Sequence, residues 1–368
     1  MVKIGLLYSL TGPQSEMERS IFDGAALAVH EINAGGGVRG AELEFAVFDD
    51  RSEVGLSVAG IDHLCRTEGV DIIVGGYTSA SRVAMIPAVH AHRALLMYPT
   101  YFEGEETDHR VFYCGAAPNQ YLADYLGWIA GNLGRHVYVV GSDYIYPRVL
   151  AEAVQRLGGR WDIETVGNRY VPLRETSFAD VVRDIERVRP DVVISNIVGL
   201  ESTTAFYTEF HRAGFDSGTL PIAATVTTPI DLEHMSPEVG DGHYMVGTYF
   251  SAIDSDANRA YRRALLEVRG QRRAHAAQVG AYNAVHAVRL AAEVARTTDA
   301  AGIAEALLGI RFDGNPEGLP FCFRSNHYSA HPSYVGRAVG GEYDVVAEFA
   351  PRLPEPWWLS RDPLFAAL

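Results

Sequence analysis

Asp71-Ile-Ile-Val-Gly-Gly-Tyr-Thr-Ser-Ala-Ser-Arg82 is the stretch that decides the fold. Its first half is a nearly continuous apolar run, the pattern of a parallel strand covered on both faces. Its second half is glycine, hydroxyls and one ring, running into a helical pattern over 80–92. That is the strand-to-helix turn of an open α/β sheet, where hydroxyls and free helix N–H groups meet a ligand. The same design recurs at 136–148. There an apolar strand ends in Gly141-Ser-Asp-Tyr-Ile-Tyr-Pro-Arg148, with Pro147 suited to a first helical turn. Two such turns in two α/β series predict two doubly wound parallel-sheet lobes that hold a small molecule between them.

Working outward, strands are expected at 2–8, 42–48, 71–74 and 94–97, with helices near 17–33, 54–67 and 80–92. Asn33-Ala-Gly-Gly-Gly37 ends the first helix with residues that tolerate left-handed backbone. A second series gives strands at 136–140, 161–166, 191–195 and 221–224, alternating with helices near 120–132, 147–158, 177–189 and 201–213. The tail breaks this alternation: strand-like Tyr244–Phe250, helices near 256–268, 276–296 and 300–308, then short β pieces around 319–323, 333–339 and 342–349. The helices are expected to return to the first lobe and the final hairpin to the second. The lobes then comprise 1–118 with 251–326, and 119–250 with 327–368. Three crossings, near 117–121, 248–252 and 324–330, form the hinge.

The chain has 368 residues, enough for two ordinary domains, and a formal net charge of −15 that disfavours a nucleic-acid surface. No stretch approaches a membrane-spanning length of apolar residues. Val2–Leu10 already reads as a core strand with no basic-then-apolar leader, so the cytoplasm is the expected compartment, and an extracytoplasmic one if a leader has been removed. Cys65, Cys114 and Cys322 form neither a disulfide framework nor a metal knuckle.

The candidate ligand contacts of the first lobe are Tyr77 and Ser79 after strand 71–74, and Tyr98, Thr100 and Tyr101 after strand 94–97. All are hydrogen-bonding and uncharged at neutral pH, which suits a neutral polar solute. Ser79 and Ser81 serve equally well as helix caps. Glu103, Glu105 and Glu106 are near enough to contribute, or face solvent. In the second lobe the candidates are Tyr144 and Tyr146, with Thr227 from the Thr225-Val-Thr-Thr228 turn. Asp143 is expected to cap a turn, orient a tyrosine or touch an amide.

Catalysis is not expected. There is no nucleophile elbow, no His-Glu-x-x-His and no Cys-x-x-Cys. The thirteen histidines, His90, His92, His327 and His331 among them, read as surface or packing residues. Asp49–Asp50 is a carboxylate pair at a strand end without supporting partners. Gly35-Gly-Gly-Val-Arg-Gly40 follows a helix, where a dinucleotide fingerprint follows a strand. No metal and no cofactor are expected.

Several motifs together carry a family likeness. They are Ile4-Gly-Leu-Leu-Tyr-Ser-Leu-Thr-Gly12, Glu31-Ile-Asn-Ala-Gly-Gly-Gly-Val38, Tyr98-Pro-Thr100, Ala117-Pro-Asn-Gln120, Gly141–Arg148 and Tyr170-Val-Pro-Leu173. The chain resembles the type I periplasmic-binding-protein superfamily over its length, specifically its amide- and urea-binding branch. That branch holds receptors of ABC importers and a cytoplasmic sensor that controls an amidase operon by sequestering an antitermination protein. The resemblance implies that Ser79 meets a ligand amide, that Tyr77, Tyr98 and Thr100 line the pocket, and that Tyr144, Tyr146 and Thr227 close on it. It implies as partner either the antitermination regulator or an ABC permease, and leaves a homo-oligomer open. Tyr144-Ile-Tyr-Pro-Arg148 and Tyr249–Asp254 look like the sensor, whereas Gly75–Arg82 looks closer to the importer receptors. The sensor reading is taken first. Family members carry Gln or Pro where Tyr101 stands, so this ring is expected to reshape the pocket.

Overall fold

The structure, a computed structural model, describes residues 2–361. The chain forms two compact units. One takes the chain through Phe102, Glu106–Ala116 and Ile253–His331; the other takes Glu103–Glu105, Ala117–Ala252 and the chain from Pro332 onward.

The first unit opens with β1 (Val2–Tyr8), α1 (Ser15–Ala34), β2 (Leu43–Asp49), α2 (Val54–Arg66), β3 (Ile72–Gly75), α3 (Ser79–Ala91), β4 (Leu95–Tyr98) and β5 (Val111–Tyr113). The sheet order is β2-β1-β3-β4-β5, with every pairing parallel. Strands β3 and β4 are buried along their whole length, which is why they read as unbroken apolar runs. Strand β5 was not anticipated. Three residues are too few to carry a periodicity of their own, and the strand exists because β4 offers a partner edge.

The second unit contributes α4 (Leu122–Asn132), β6 (His136–Ser142), α5 (Ile145–Gly158), β7 (Glu164–Val171), α6 (Ala179–Val188), β8 (Val192–Asn196), α7 (Leu200–Arg212) and β9 (Ile222–Ala224). Short helices α8 (Pro229–Glu233) and α9 (Pro237–Gly240) precede β10 (Tyr244–Gly247). Later come α10 (Asp256–Arg269), α11 (Ala276–Ala295) and α12 (Ala300–Leu307) in the first unit, then the hairpin of β11 (His331–Val339) and β12 (Glu342–Arg352). The second sheet runs β12-β11-β10-β9-β8-β6-β7. Its five parallel strands, β7-β6-β8-β9-β10, repeat the order of the first sheet, and β11 joins antiparallel to β10. The hairpin turns on Gly340 and Gly341, both at positive φ. The segment near 319–323 forms only isolated bridges, Phe312 to Phe321 and Phe323 to Ser329.

Helices α10, α11 and α12 belong to the first unit. Helix α11 lies along α1, and the approach is so close that a Cβ on Gly24 would sit 2.3 Å from the Gln278 carbonyl oxygen. Fourteen of the 20 residues of α11 are buried, a fraction suited to a helix sandwiched in a core. Ser20 and His275 meet beside this seam at 2.6 Å. The Ser20 hydroxyl donates to the Met17 carbonyl, so His275 Nε2 is the donor to Ser20, and burial holds the imidazole neutral with its pKa lowered to about 3.

Candidate functional site

Both sheets reverse strand order at one place, between β1 and β3 in the first unit and between β6 and β8 in the second. Ligands of open α/β sheets bind outside the carboxyl ends of strands at such switch points. The two quoted turns lie there, Gly75–Arg82 after β3 and Gly141–Arg148 at the end of β6.

In the first unit, Ser79 is the first residue of α3 and is buried. It does not cap the helix. Thr78 is the cap, its Oγ1 accepting from the Ser81 N–H at 3.2 Å, while the Ser81 hydroxyl donates back to the Thr78 carbonyl at 2.8 Å. Division of labour follows: Thr78 and Ser81 hold the helix start, and Ser79 sits among its N–H groups. The Tyr98 hydroxyl donates to the Tyr77 carbonyl at 2.6 Å, and Thr100 Oγ1 donates to the Gly76 carbonyl at 3.2 Å. Each therefore spends its proton fixing the β3 turn and keeps only acceptor capacity for anything else. Tyr77, Thr100 and Tyr101 are half-buried.

A buried cation lies beneath this turn. Arg82 is only 1% exposed, and its Nε and Nη2 reach the two carboxylate oxygens of Glu106 at 2.9 and 3.2 Å. Its guanidinium lies 5.1 Å from the Tyr98 ring centroid and 5.6 Å from that of Phe102. Glu106 also accepts from the Tyr113 hydroxyl at 2.7 Å, so it is no solvent-facing loop residue. No local pattern marks Arg82, although it ends the quoted cluster. An arginine one turn into a helix normally signals a solvated face, and only β4 and β5 folding over it make it internal. The neighbouring Glu105 turns instead to the Leu359 N–H and the Ser360 hydroxyl.

At the carboxyl ends of β1 and β2 lies a second unforeseen group, Ser9, Glu18 and Asp50, all buried. Ser9 Oγ is 2.7 Å from Glu18 Oε1 and 2.6 Å from Asp50 Oδ1, and it accepts the Ser52 N–H at 2.9 Å. One hydroxyl carries one proton and cannot donate to both carboxyls. Glu18 is therefore the protonated partner: it donates to Ser9, which donates to Asp50. Burial, then the nearby Asp50 charge, push the Glu18 pKa up to about 8. The Asp49–Asp50 pair thus divides. Asp50 holds Ser9 and Ser57, while Asp49 accepts from the Thr11 hydroxyl and the Leu10 N–H.

In the second unit, Tyr144 is half-buried in extended backbone immediately before α5. Tyr146 is buried, its hydroxyl 2.7 Å from that of Tyr121. Asp143 faces outward and accepts from Arg148 Nε at 2.6 Å, so its role is a surface pair and not a cap. Thr227 is fully buried; it accepts from the Tyr207 hydroxyl at 3.3 Å, and its carbonyl accepts from Tyr343 at 2.9 Å. Asn196, at the end of β8, accepts from Thr225, and its buried Nδ2 has no hydrogen-bond partner among the described residues. A buried amide donor without a partner is rare, and no motif announced this one at the switch point.

His331, read as a surface or packing histidine, is buried, with Nδ1 2.8 Å from Glu317 and Nε2 2.6 Å from Ser329. No helix among the described residues is long and apolar enough to cross a membrane.

Residues 2–363 match the family model described as a periplasmic binding protein domain. A relative from Brucella melitensis, named Leu/Ile/Val-binding protein homolog 3, is 25% identical over 86% of this chain and 84% of its own. Among solved structures, a solute-binding protein of a Rhodopseudomonas palustris ABC transporter in complex with benzoate superposes with a TM-score of 0.86. It is 18% identical and the match covers 96% of this chain and 98% of that one. A branched-chain amino acid transporter substrate-binding protein from Streptococcus pneumoniae, in complex with isoleucine, gives 0.84 at 18% identity, over 96% and 100% of the two chains. The amide and urea branch is not among these names. With its repeated switch-point sheets and a family match over nearly its whole length, the chain belongs to the periplasmic-binding-protein family and has the type I fold.

Proposed function

We propose that this chain is the solute-binding component of an ABC importer and grips a small solute by a planar carboxylate or carboxamide end. The observation that carries the reading is the repeat of one arrangement in both units: a β-strand at the switch point ending in a turn of hydroxyls and rings at a helix start. The N–H groups around Ser79 favour an oxygen acceptor and partial negative charge. The buried charge of Arg82 is already matched by Glu106, so the lining is close to neutral overall. An α-amino acid needs a carboxylate for its ammonium group, and Glu106 is occupied. A small aromatic or aliphatic acid satisfies this half-site better, and the rings of Tyr77, Tyr98 and Tyr101 suit a flat apolar body.

This replaces the cytoplasmic amide sensor as the first reading, because the named relatives are transport and binding proteins. Their family name favours the extracytoplasmic side, with a permease as partner. A urea- or short-amide ligand remains the second reading, carried by Tyr144-Ile-Tyr-Pro-Arg148 and by the neutral hydroxyl lining. Tyr77, Ser79, Tyr98, Thr100 and Tyr101 are proposed as contacts from one unit, with Tyr144, Tyr146 and Thr227 from the other.

A thermal-shift screen followed by calorimetry tests the proposal, using benzoate, 4-hydroxybenzoate, leucine, isoleucine, urea and acetamide. One saturable ligand without turnover, weakened by Ser79→Ala and independently by Tyr144→Phe or Asn196→Ala, is expected. A ligand whose affinity ignores all three variants, or product formation, overturns it. A hit among the acids selects the first reading and a hit confined to urea or acetamide selects the second.

A further inference from the structure

We propose a divalent-cation site, best suited to Zn2+, at His90, Asp108 and His109, independent of the solute-binding reading. One ligand atom from each residue lies within 4.8 Å of the others. His90 Nε2 is 2.7 Å from Asp108 Oδ2, and the two imidazoles meet edge to face with centroids 4.9 Å apart. Two imidazole nitrogens and a carboxylate oxygen, with a fourth position open to water, are a donor set that Zn2+ takes readily. A tetrahedral ion with bonds near 2.1 Å sets its ligand atoms about 3.4 Å apart. The His90–Asp108 pair would open by about 0.7 Å and the wider edges would close, within side-chain reach.

The surroundings favour a cation. His90 lies in the last turn of α3, where unpaired carbonyls concentrate partial negative charge. The other Asp108 oxygen accepts the Arg110 N–H at 2.7 Å, which fixes the carboxylate and leaves Oδ2 directed at His90. The Arg110 guanidinium is drawn off by the Arg93 carbonyl at 2.7 Å. His109 is exposed, so an ion has an entry path. The C-terminal end of α3 lies at the edge of the sheet opposite the Ser79 turn, so an ion here would brace the α3–β5 connection without entering the solute site.

The test is calorimetric titration of the chelator-treated, untagged full chain with Zn2+ alone. A single site is expected, with His90→Ala and His109→Ala each weakening it at least tenfold, His92→Ala leaving it unchanged, and circular dichroism of all variants native. Zn2+ should also raise the melting temperature of the parent and not of His109→Ala. No saturable binding, or binding that His109→Ala leaves intact, overturns the proposal. Since His109 is exposed and outside any helix or strand, its removal does not threaten the fold.

Discussion

At the scale of single residues, neighbouring side chains of like chemistry have different tasks. Thr78 and Ser79 are adjacent hydroxyls, and Thr78 is the one that caps α3. Thr78→Ala should therefore cost about 1 kcal/mol of stability in urea unfolding. Ser79→Ala should leave stability nearly intact and weaken ligand binding by about 1 kcal/mol, roughly fivefold in Kd. Equal losses of stability in both variants would contradict this division.

Glu18 gives a sharper contrast. Its pKa is raised to about 8 in the folded chain, above the ordinary glutamate value of 4.5. A raised carboxyl gives stability that is complete below pH 4.5 and is lost as pH rises through about 8. Glu18→Gln keeps a donor for Ser9 Oγ and an acceptor for the Ser9 N–H without a titrating proton. Its expected effect is stabilisation on the order of 1–3 kcal/mol above pH 8, with no gain at pH 4. Urea melts at the two pH values measure it; equal effects at both would refute the protonated assignment.

At the scale of elements, packing corrects propensity. Helix α1 has a glycine at its seam because α11 needs that space: a methyl on Gly24 has nowhere to go against the Gln278 backbone. In an isolated helix Gly→Ala is worth up to ~1 kcal/mol in favour of alanine. Here Gly24→Ala should destabilise by ~1–3 kcal/mol through overpacking, with the melting temperature as readout. Elements were legible where the local pattern and the tertiary environment agreed. The fully buried strands β3 and β4 announced themselves, and so did the long helix α11. Strand β5 did not, because its three residues acquire their conformation from the β4 edge. Arg82 did not either, because polarity alone argues for solvent until Glu106 and two rings enclose it.

At the scale of the whole molecule, binding and stability are linked by mass action. A solute at one hundred times its Kd should stabilise the folded chain by about 2.7 kcal/mol, if it binds only the folded form. A solute of four heavy atoms is limited to about 6 kcal/mol of binding, or tens of micromolar. A nanomolar Kd in the screen would thus exclude urea and acetamide as the natural ligand class.

The amino-acid sequence by itself determined the α/β class, the two series of strands and helices, and the turns that carry Ser79 and Tyr144. These follow from periodicity and glycine placement, which act over a few residues. Tertiary structure alone decided which hydroxyls are spent on the backbone, that Glu18 keeps its proton, that Arg82 is buried and that His90 meets His109. Such outcomes depend on desolvation and on partners distant in sequence, and no local pattern encodes the distance between two side chains brought together by folding.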